Sequence, residues 1–421
     1  GGTNDHVKGV AAGSNLEMPT PGLDSAREIL EAVESGRLSM EALDECVDTF
    51  LDAVLTLTGD KKEKKTDFDK EAHHRLARKA AAQSIVMLKN DVDPVPILPL
   101  KEGTRVALIG DFAKTPRYQG AGSSMVNPTK VETMAEKISE YPLTCLGCAE
   151  GYRRTGEADE ELKKTALDLA ASADVVIYCF GLDEISESEG LDRTHMRIPQ
   201  NQIELLEALV KVNPNIVGVL SAGSAIEMPW HYCCRAILHG YLGGQAGAGA
   251  MLDVLTGKEN PSGRLSETYP IRYEDTPAFR NFPSTERNSE YRESIFVGYR
   301  YYDTSKVRVQ YPFGYGLSYT EFTYSDLKVT DQGAEFVIAN TGSMDGAEVA
   351  QLYVGAPNKR IFRPDKELKG FQKVFLKAGE QKKVTIPFDD KTFRYWNTKT
   401  NSWEIEAGEY TVYIGANVAD I

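Results

Sequence analysis

Between residues 70 and 269 the sequence alternates short apolar runs with stretches of helical periodicity. The run 174–181, for example, consists almost wholly of β-branched and aromatic residues and closes on a glycine. This alternation is typical of a doubly wound α/β domain with a mostly parallel sheet. It predicts helix 71–89, strand 105–110, helices 130–139 and 158–172, strand 174–181, helix 200–212, strands 215–220 and 236–240, and helix 247–255.

The regions on either side follow other patterns. Residues 1–58 contain two helical stretches, 21–35 and 39–57, and no strand between them. Two such helices cannot bury their apolar faces alone, so we expect this segment to pack poorly or to lean on a neighbour. Residues 59–69 are polar and predict a linker.

The C-terminal region has the period-two alternation of β-strands. Its alternating runs lie at 334–340, 349–354, 382–386 and 410–414. Short alternating strands with turns between them predict an antiparallel β-sandwich over residues 326–421. Residues 270–325 are rich in proline and tyrosine, which predicts an extended connector.

Charge and cysteine usage restrict the partners. The net charge of −14 has no basic stretch to offset it, which excludes nucleic acid and an anionic membrane and favours a neutral or cationic ligand. No apolar run is long enough to span a membrane. Most of the six cysteines lie in apolar runs, which predicts reduced thiols and weakly favours a cytoplasmic protein. The pair Cys145 and Cys148 lacks the further ligands of a metal site.

An acidic loop, residues 186–195, follows the predicted strand 174–181. Ligands of open α/β sheets bind beyond the carboxyl ends of the strands. Glu187 and Glu189 are therefore candidates for contact with a ligand or for proton transfer. Gly190 permits a tight turn, and an ion pair between Asp192 and Arg193 would hold the loop in one conformation. The alternative is a solvated acidic turn.

Two glycine-rich loops, 120–124 and 243–247, are candidates for phosphate sites. Neither has a Walker lysine or an ordered GxGxxG motif, so a nucleotide-binding protein is a weak alternative. The first loop instead brings a serine hydroxyl and backbone close to a polar ligand. Spacing gives the histidines structural roles and predicts no metal. Trp230, Trp396 and Trp403 are interpreted as core or edge residues, with stacking on sugar left open.

Several stretches together resemble glycoside hydrolase family 3, of the β-glucosidase type. They are Gly1-Gly2-Thr3-Asn4-Asp5-His6, Leu16-Glu17-Met18-Pro19, Glu187-Ser188-Glu189-Gly190-Leu191-Asp192-Arg193, Gly298-Tyr299-Arg300-Tyr301-Tyr302 and Tyr311-Pro312-Phe313-Gly314-Tyr315-Gly316-Leu317-Ser318. The resemblance covers essentially the whole chain. It implies the end of a (β/α)8 barrel over 1–58, an α/β sandwich over 70–269 and a fibronectin type III-like domain over 326–421.

The resemblance also assigns site residues. Glu189 corresponds to the general acid/base, and Ser123 and less closely Ser124 to the serine that reaches the sugar. Asp192 and Arg193 are expected to support the loop through their predicted ion pair. Leu191 replaces the usual aromatic residue. The nucleophilic aspartate of the family precedes Gly1-Gly2, so none is expected in this chain, and Asp5 lies downstream of that position.

The implied function is part of a retaining, exo-acting β-glucosidase that releases terminal glucose without a metal or organic cofactor. The expected partners are a β-glucoside or oligosaccharide and the missing barrel segment, without which the chain is expected to be inactive. A homo-oligomer and a β-xylosidase specificity remain open. The alternative from another class is a non-catalytic carbohydrate-binding or structural fragment.

Overall fold

The computed structural model describes residues 3–59, 68–285, 288–357 and 360–421. The chain divides into two compact units, Gly1–Asp69 and Lys70–Ile421. The boundary between them falls at the end of the linker predicted over 59–69, of which residues 60–67 lie outside the described part.

The described residues of the first unit form three helices: α1 (His6–Ala11), α2 (Leu23–Glu34) and α3 (Met40–Thr58). The Ser39 side chain caps α3 by accepting a hydrogen bond from the backbone N–H of Ala42, as its cap-like sequence predicts. The long helices bury little, because Ala32 is the buried residue of α2 and Cys46 that of α3. As expected from the sequence, many large apolar side chains of this unit stay exposed, including Leu30, Leu51 and Leu55.

The second unit is built on a six-stranded sheet. Its strands are β1 (Val86–Asn90), β2 (Arg105–Ile109), β3 (Thr144–Ala149), β4 (Val175–Gly181), β5 (Ile216–Ser221) and β6 (Ala236–His239). They lie in the order β1-β6-β5-β4-β2-β3, and β1 alone among them runs antiparallel to its neighbour. Every residue of β4 is buried, as its uninterrupted apolar run predicts for a central parallel strand.

Helices cover both faces of this sheet, which confirms the predicted doubly wound arrangement. They are α4 (Lys70–Ser84), α5 (Met134–Lys137), α6 (Glu160–Ala171), α7 (Gln200–Val212) and α8 (Gly247–Leu255). Ala166 of α6 and Leu205 of α7 belong to the core on one face, whereas Ala82 of α4 and Leu252 of α8 belong to the core on the other. The sheet is therefore buried on both sides.

Three predictions within this domain were wrong in detail. The helix predicted over 71–89 ends at Ser84, and β1 follows it. Val86 and Leu88 enter one core and Met87 the other, so this apolar run is buried on both faces, as a strand allows and a helix end does not. Strand β3 was not predicted. The helix predicted over 130–139 shrinks to α5 and one 3₁₀ turn, Ile138–Glu140.

The segment predicted as an extended connector contains regular structure. Strand β7 (Tyr269–Pro270) pairs with β8 (Val309–Tyr311), and helix α9 (Tyr299–Thr304) lies between them in sequence. Buried aromatic residues on these elements, such as Tyr269 and Tyr311, belong to the core on one face of the large sheet. The low periodicity of this segment hid elements that are only two to six residues long.

The C-terminal region forms the predicted β-sandwich. One sheet pairs β9 (Phe322–Thr330), β10 (Gly333–Asn340) and β13 (Gln381–Pro387), and the other pairs β11 (Gly346–Gly355), β12 (Glu367–Leu376) and β16 (Thr411–Gly415). A hairpin of β14 (Tyr395–Asn397) and β15 (Ser402–Glu404) is separate from both. Within the same unit, Arg264 Nη2 lies 2.6 Å from Glu348 Oε2, a nearly buried ion pair that joins the sandwich to the α/β domain.

None of the helices in the described part of the chain combines the length and the apolar character needed to cross a bilayer.

Candidate active site

The site forms where the order of the sheet changes direction. From β2 the chain moves outward to β3 and then returns past β2 to β4, after which β5 and β6 follow on the other side. Ligands of open α/β sheets bind in the crevice beyond the carboxyl ends of the strands at such a switch point. The loops leaving β2 and β4 flank this crevice, and they carry Ser123 and Glu189 respectively.

The two loops contact each other directly. The backbone N–H of Glu189 donates to the carbonyl oxygen of Ala121 over 3.1 Å. Ala121 and Ser188 form an isolated parallel bridge. In return, the backbone N–H of Ser123 donates to Glu189 Oε2 over 2.5 Å, so residues 66 positions apart in sequence share one small site. The structure thus brings the predicted acid/base and the predicted sugar-contacting loop together.

Gly122 makes this close approach sterically feasible. Its φ is +97°, in the left-handed region that glycine tolerates best, and a Cβ at this position would lie 2.5 Å from Glu189 Cβ. The same Cβ would lie 2.7 Å from Glu189 Oε2. Gly190, with φ +81°, provides the turn after Glu189 that the sequence predicted.

The carboxyl group of Glu189 is exposed and acts as a hydrogen-bond acceptor. Hydrogen bonding by Ser123, through its side chain and its backbone N–H, lowers the pKa of Glu189 below its ordinary value. Hydrogen bonds to the charged form favour ionisation. In this chain by itself, Glu189 is therefore a carboxylate at neutral pH and holds no proton to donate.

The two candidate serines differ in orientation. Ser123 and Ser124 are both exposed. The hydroxyl of Ser124 lies against Gly120, since a Cβ on Gly120 would be 2.5 Å from Ser124 Oγ. Ser124 is thus turned back into its own loop, whereas Ser123 is the serine in contact with Glu189.

The predicted ion pair between Asp192 and Arg193 is not formed, and this expectation was wrong. Asp192 is exposed and makes no ion pair among the residues that the structure describes. Arg193 Nη1 instead donates to Ser224 Oγ over 2.6 Å and lies 4.0 Å from Glu187 Oε1. Neighbouring side chains of an irregular loop point in different directions, and Arg193 finds partners in the loop that follows β5.

Glu187 has an inward position that the sequence did not reveal. Its Oε2 accepts a hydrogen bond from the backbone N–H of Gly223 over 2.7 Å, and its Oε1 accepts one from Ser224 Oγ over 2.6 Å. Its side chain is only 10 % exposed. The acidic loop is therefore not the solvated turn considered as an alternative, because one of its carboxylates is anchored inside the fold.

Two further arginines hold the loops that surround the site. The fully buried side chain of Arg117 places Nη2 3.9 Å from Glu187 Oε2 and Nε 4.0 Å from Glu184 Oε1. Arg154 Nη1 lies 3.1 Å from Glu184 Oε1, and Arg154 Nε donates to Asp111 Oδ2 over 2.7 Å. Together these arginines connect the loops after β2, β3 and β4.

Sequence reasoning did not single out Arg117, Arg154, Asp111 or Ser224. Each of them follows the carboxyl end of a strand within about fifteen residues, and that position is the signal that was available. Their spacing in the sequence carries no recognisable motif, so their mutual contacts depend on the strand order.

Two buried histidines have partners that suit structural roles. His74 is buried between Glu132 Oε1 and Gln245 Nε2, each 2.8 Å from a ring nitrogen. His239 is buried between the carbonyl oxygen of Leu220 and the hydroxyl of Tyr269. Over the described ranges, no group of three or more His, Cys, Asp or Glu side chains could hold a metal ion.

The cysteine pair, the tryptophans and Asp5 lie outside the contact between Glu189 and the Ser123 loop. Cys145 is exposed and Cys148 half-buried on β3, and both are free thiols. Trp230 is buried in the sheet core, whereas Trp396 and Trp403 face each other across the β14–β15 hairpin and are each nearly half exposed. Asp5 caps α1 by accepting a hydrogen bond from the backbone N–H of Lys8, which gives it a structural task.

Family models and relatives agree with this architecture. The model described as the glycosyl hydrolase family 3 C-terminal domain matches residues 85–319, more than half of the chain. The chain belongs to glycosyl hydrolase family 3. A model of the fibronectin type III-like domain matches residues 348–418, so the C-terminal sandwich is of this type.

Two curated relatives match the chain from end to end. Thermostable beta-glucosidase B of Acetivibrio thermocellus is 46 % identical over 100 % of this chain, and an exo-alpha-(1->6)-L-arabinopyranosidase of Bifidobacterium breve is 41 % identical over 99 %. The chain spans 57 % of the length of each of these relatives.

Solved structures of the family superpose closely. A Bifidobacterium adolescentis GH3 beta-glucosidase matches with a TM-score of 0.91 and 41 % identity over 99 % of this chain and 62 % of that one. The beta-glucosidase of Kluyveromyces marxianus in complex with glucose matches with a TM-score of 0.86 and 27 % identity over 99 % and 71 %.

Proposed function

We propose that this chain supplies the acid/base half of a retaining β-glycosidase that acts on terminal β-D-glucosyl residues. Glu189 is the general acid/base, and Ser123, with Ser124 behind it in the same loop, lies toward the bound sugar. The nucleophile comes from outside these 421 residues, from a barrel segment such as the part of the Acetivibrio enzyme that the chain does not cover.

The observation that carries this proposal is the contact between Glu189 and the Ser123 loop at the switch point of the sheet. It combines an exposed carboxylate with a glycine-rich loop whose backbone and hydroxyl groups suit a polar, uncharged ligand. The net charge of −14 also favours a neutral substrate over a phosphorylated one.

The chemistry requires a second carboxylate. A retaining glycosidase uses two carboxyl groups about 5 to 5.5 Å apart, one attacking the anomeric carbon and the other protonating the departing oxygen. An ionised nucleophile at that distance raises the pKa of its partner, since two adjacent carboxylates disfavour each other's charge. Glu189, whose pKa is lowered in this chain alone, would thereby regain the proton that an acid needs.

Glucose is the preferred sugar because the matched relatives include several named beta-glucosidases. The arabinopyranosidase relative and the β-xylosidase alternative keep other exo-glycosidase specificities within the family open. A non-catalytic carbohydrate-binding or structural role is the second candidate, from another class. It is suggested by the fact that the chain spans only 57 % of the length of two curated relatives.

The test uses a complemented enzyme, defined as this chain combined with the N-terminal part of the Acetivibrio enzyme that lies outside the match. We expect Glu189→Ala to slow hydrolysis of an alkyl β-glucoside, a poor leaving group, by about 10² to 10⁴-fold, the usual contribution of a general acid. Dinitrophenyl β-glucoside needs no proton on departure, so its glycosylation step should change little. Glu207→Ala, at an exposed glutamate of α7, is the control and should leave both rates unchanged. Equal rates of Glu189→Ala and wild type on the alkyl glucoside would contradict the assignment.

A further inference from the structure

Both ends of the acidic loop are fastened to a single side chain. Ser224 Oγ donates to Glu187 Oε1 over 2.6 Å and accepts a hydrogen bond from Arg193 Nη1 over 2.6 Å. Glu187 and Arg193 lie on either side of Glu189 in sequence. We call Glu187, Arg193 and Ser224 the Ser224 clamp.

We propose that the Ser224 clamp is the positioning device for Glu189, and that Ser224 is its central positioning residue. The inference rests on the proposed function, because it assigns a task to the loop that carries the acid/base. None of the three clamp residues needs to touch the substrate.

The clamp has the features of a fixed anchor. Glu187 Oε2 accepts a further hydrogen bond from the backbone N–H of Gly223 over 2.7 Å. Two guanidinium groups flank the same carboxylate, with Arg117 Nη2 at 3.9 Å and Arg193 Nη1 at 4.0 Å. Hydrogen bonds to charged groups in a poorly solvated site are roughly twice as strong as neutral ones. The anchor is therefore well suited to hold the loop on the end of β5.

The tip of the loop, by contrast, has few contacts of its own. Glu189, Gly190, Leu191 and Asp192 are all exposed. The hydrogen bonds that hold Glu189 come from the Ser123 loop, through the N–H of Ser123 and the carbonyl of Ala121. The clamp thus sets where the loop stands, and the Ser123 loop sets where its carboxylate points.

A competing assignment would make Glu187 the proton donor in place of Glu189. Both of its oxygens already accept hydrogen bonds, and its side chain is 10 % exposed. Of these two glutamates, Glu189 is the one whose carboxylate is open to a ligand. Misplacing a catalytic group by about 1 Å can cost on the order of 10²-fold in rate, so a positioning residue has a measurable effect without touching the substrate.

The first test is made on this chain and needs no activity. In Ser224→Ala, we expect the pKa of Glu189, followed by NMR of carboxyl-labelled glutamate, to rise toward its ordinary value as the loop moves away from Ser123. Ser224→Thr retains the hydroxyl and should restore the wild-type titration. Ser305→Ala, the same change at an exposed serine after α9, is the control and should leave the titration unchanged. An unchanged Glu189 titration in Ser224→Ala would overturn the proposal.

The second test uses the complemented enzyme. We expect Ser224→Ala to lower kcat/KM for an alkyl β-glucoside by about 10 to 10²-fold, with a much smaller effect on kcat/KM for dinitrophenyl β-glucoside. The ratio kcat/KM reports the glycosylation step, in which only the alkyl leaving group needs the proton of Glu189. Equal losses on both substrates would identify a merely structural role and overturn the inference. If the wild-type complemented enzyme is itself inactive, the proposed function fails. The NMR titration then still tests whether the Ser224 clamp positions Glu189.

Discussion

At the scale of single residues, the candidate site depends on one close contact, in which the backbone N–H of Ser123 donates to the carboxylate of Glu189. Glu189 could be predicted because it combines a motif with a position after an apolar strand. Its contact with Ser123 could not, since it spans 66 positions and depends on the order of β2 and β4. The pairing of Arg193 was predicted wrongly because adjacency in sequence says little about direction in an irregular loop.

Gly122 provides a prediction at this scale. A Cβ in Gly122→Ala would collide with Glu189, and its positive φ adds backbone strain of about 1–2 kcal/mol. Gly156→Ala is a matched control, because Gly156 has φ +89° and open space around the added Cβ. We expect both variants to lose free energy of unfolding through the backbone strain, and Gly122→Ala to lose at least as much as Gly156→Ala, as measured by urea titration. Only Gly122→Ala should also raise the pKa of Glu189 in an NMR titration. If Glu189 titrates in Gly122→Ala as it does in the wild type, the close approach of Gly122 has no effect on the site.

At the scale of elements, long periodic segments were predicted well and short ones were not. The observed α7 and α8 have the predicted bounds, 200–212 and 247–255, and β4 differs by one residue. Strand β3 escaped prediction because its Thr-Cys-Leu-Gly-Cys-Ala sequence has weak β-propensity, and its place beside β2 comes from tertiary pairing. Pairing of this kind is not encoded locally.

Strand β6 ends on a buried histidine that makes stability depend on pH. Burial lowers the pKa of His239 to about 4. An unfolded chain binds this proton near pH 6.5, so between about pH 6.5 and 4 the unfolded state holds more protons and stability falls as the pH falls. The contribution is on the order of 3 kcal/mol across that window.

Urea unfolding at pH 7 and pH 4.5 measures this effect. We expect His239→Gln, which keeps a donor and an acceptor, to lose less stability between the two pH values than the wild type. His195→Gln, at an exposed histidine, should behave like the wild type. If His239→Gln and the wild type lose the same amount, the buried imidazole does not cause the dependence.

At the scale of the whole molecule, the domain classes could be predicted and their internal detail could not. Period-two alternation was enough to predict the fibronectin type III-like sandwich, although β9 and β12 were missed, because many of their residues are exposed and polar. Almost the whole chain matches part of the length of longer members of its family. In the first unit, large apolar side chains of α2 and α3 stay exposed.

The central claim is that this chain holds one half of a two-part active site. The most direct measurement is hydrolysis of p-nitrophenyl β-glucoside by three samples: this chain alone, the N-terminal part of the Acetivibrio enzyme alone, and the two combined. We predict activity only in the combined sample, because under the proposed function the nucleophile that Glu189 requires lies outside these 421 residues. Turnover by this chain alone, at a rate that Glu189→Ala abolishes, would place the nucleophile within it and contradict the account.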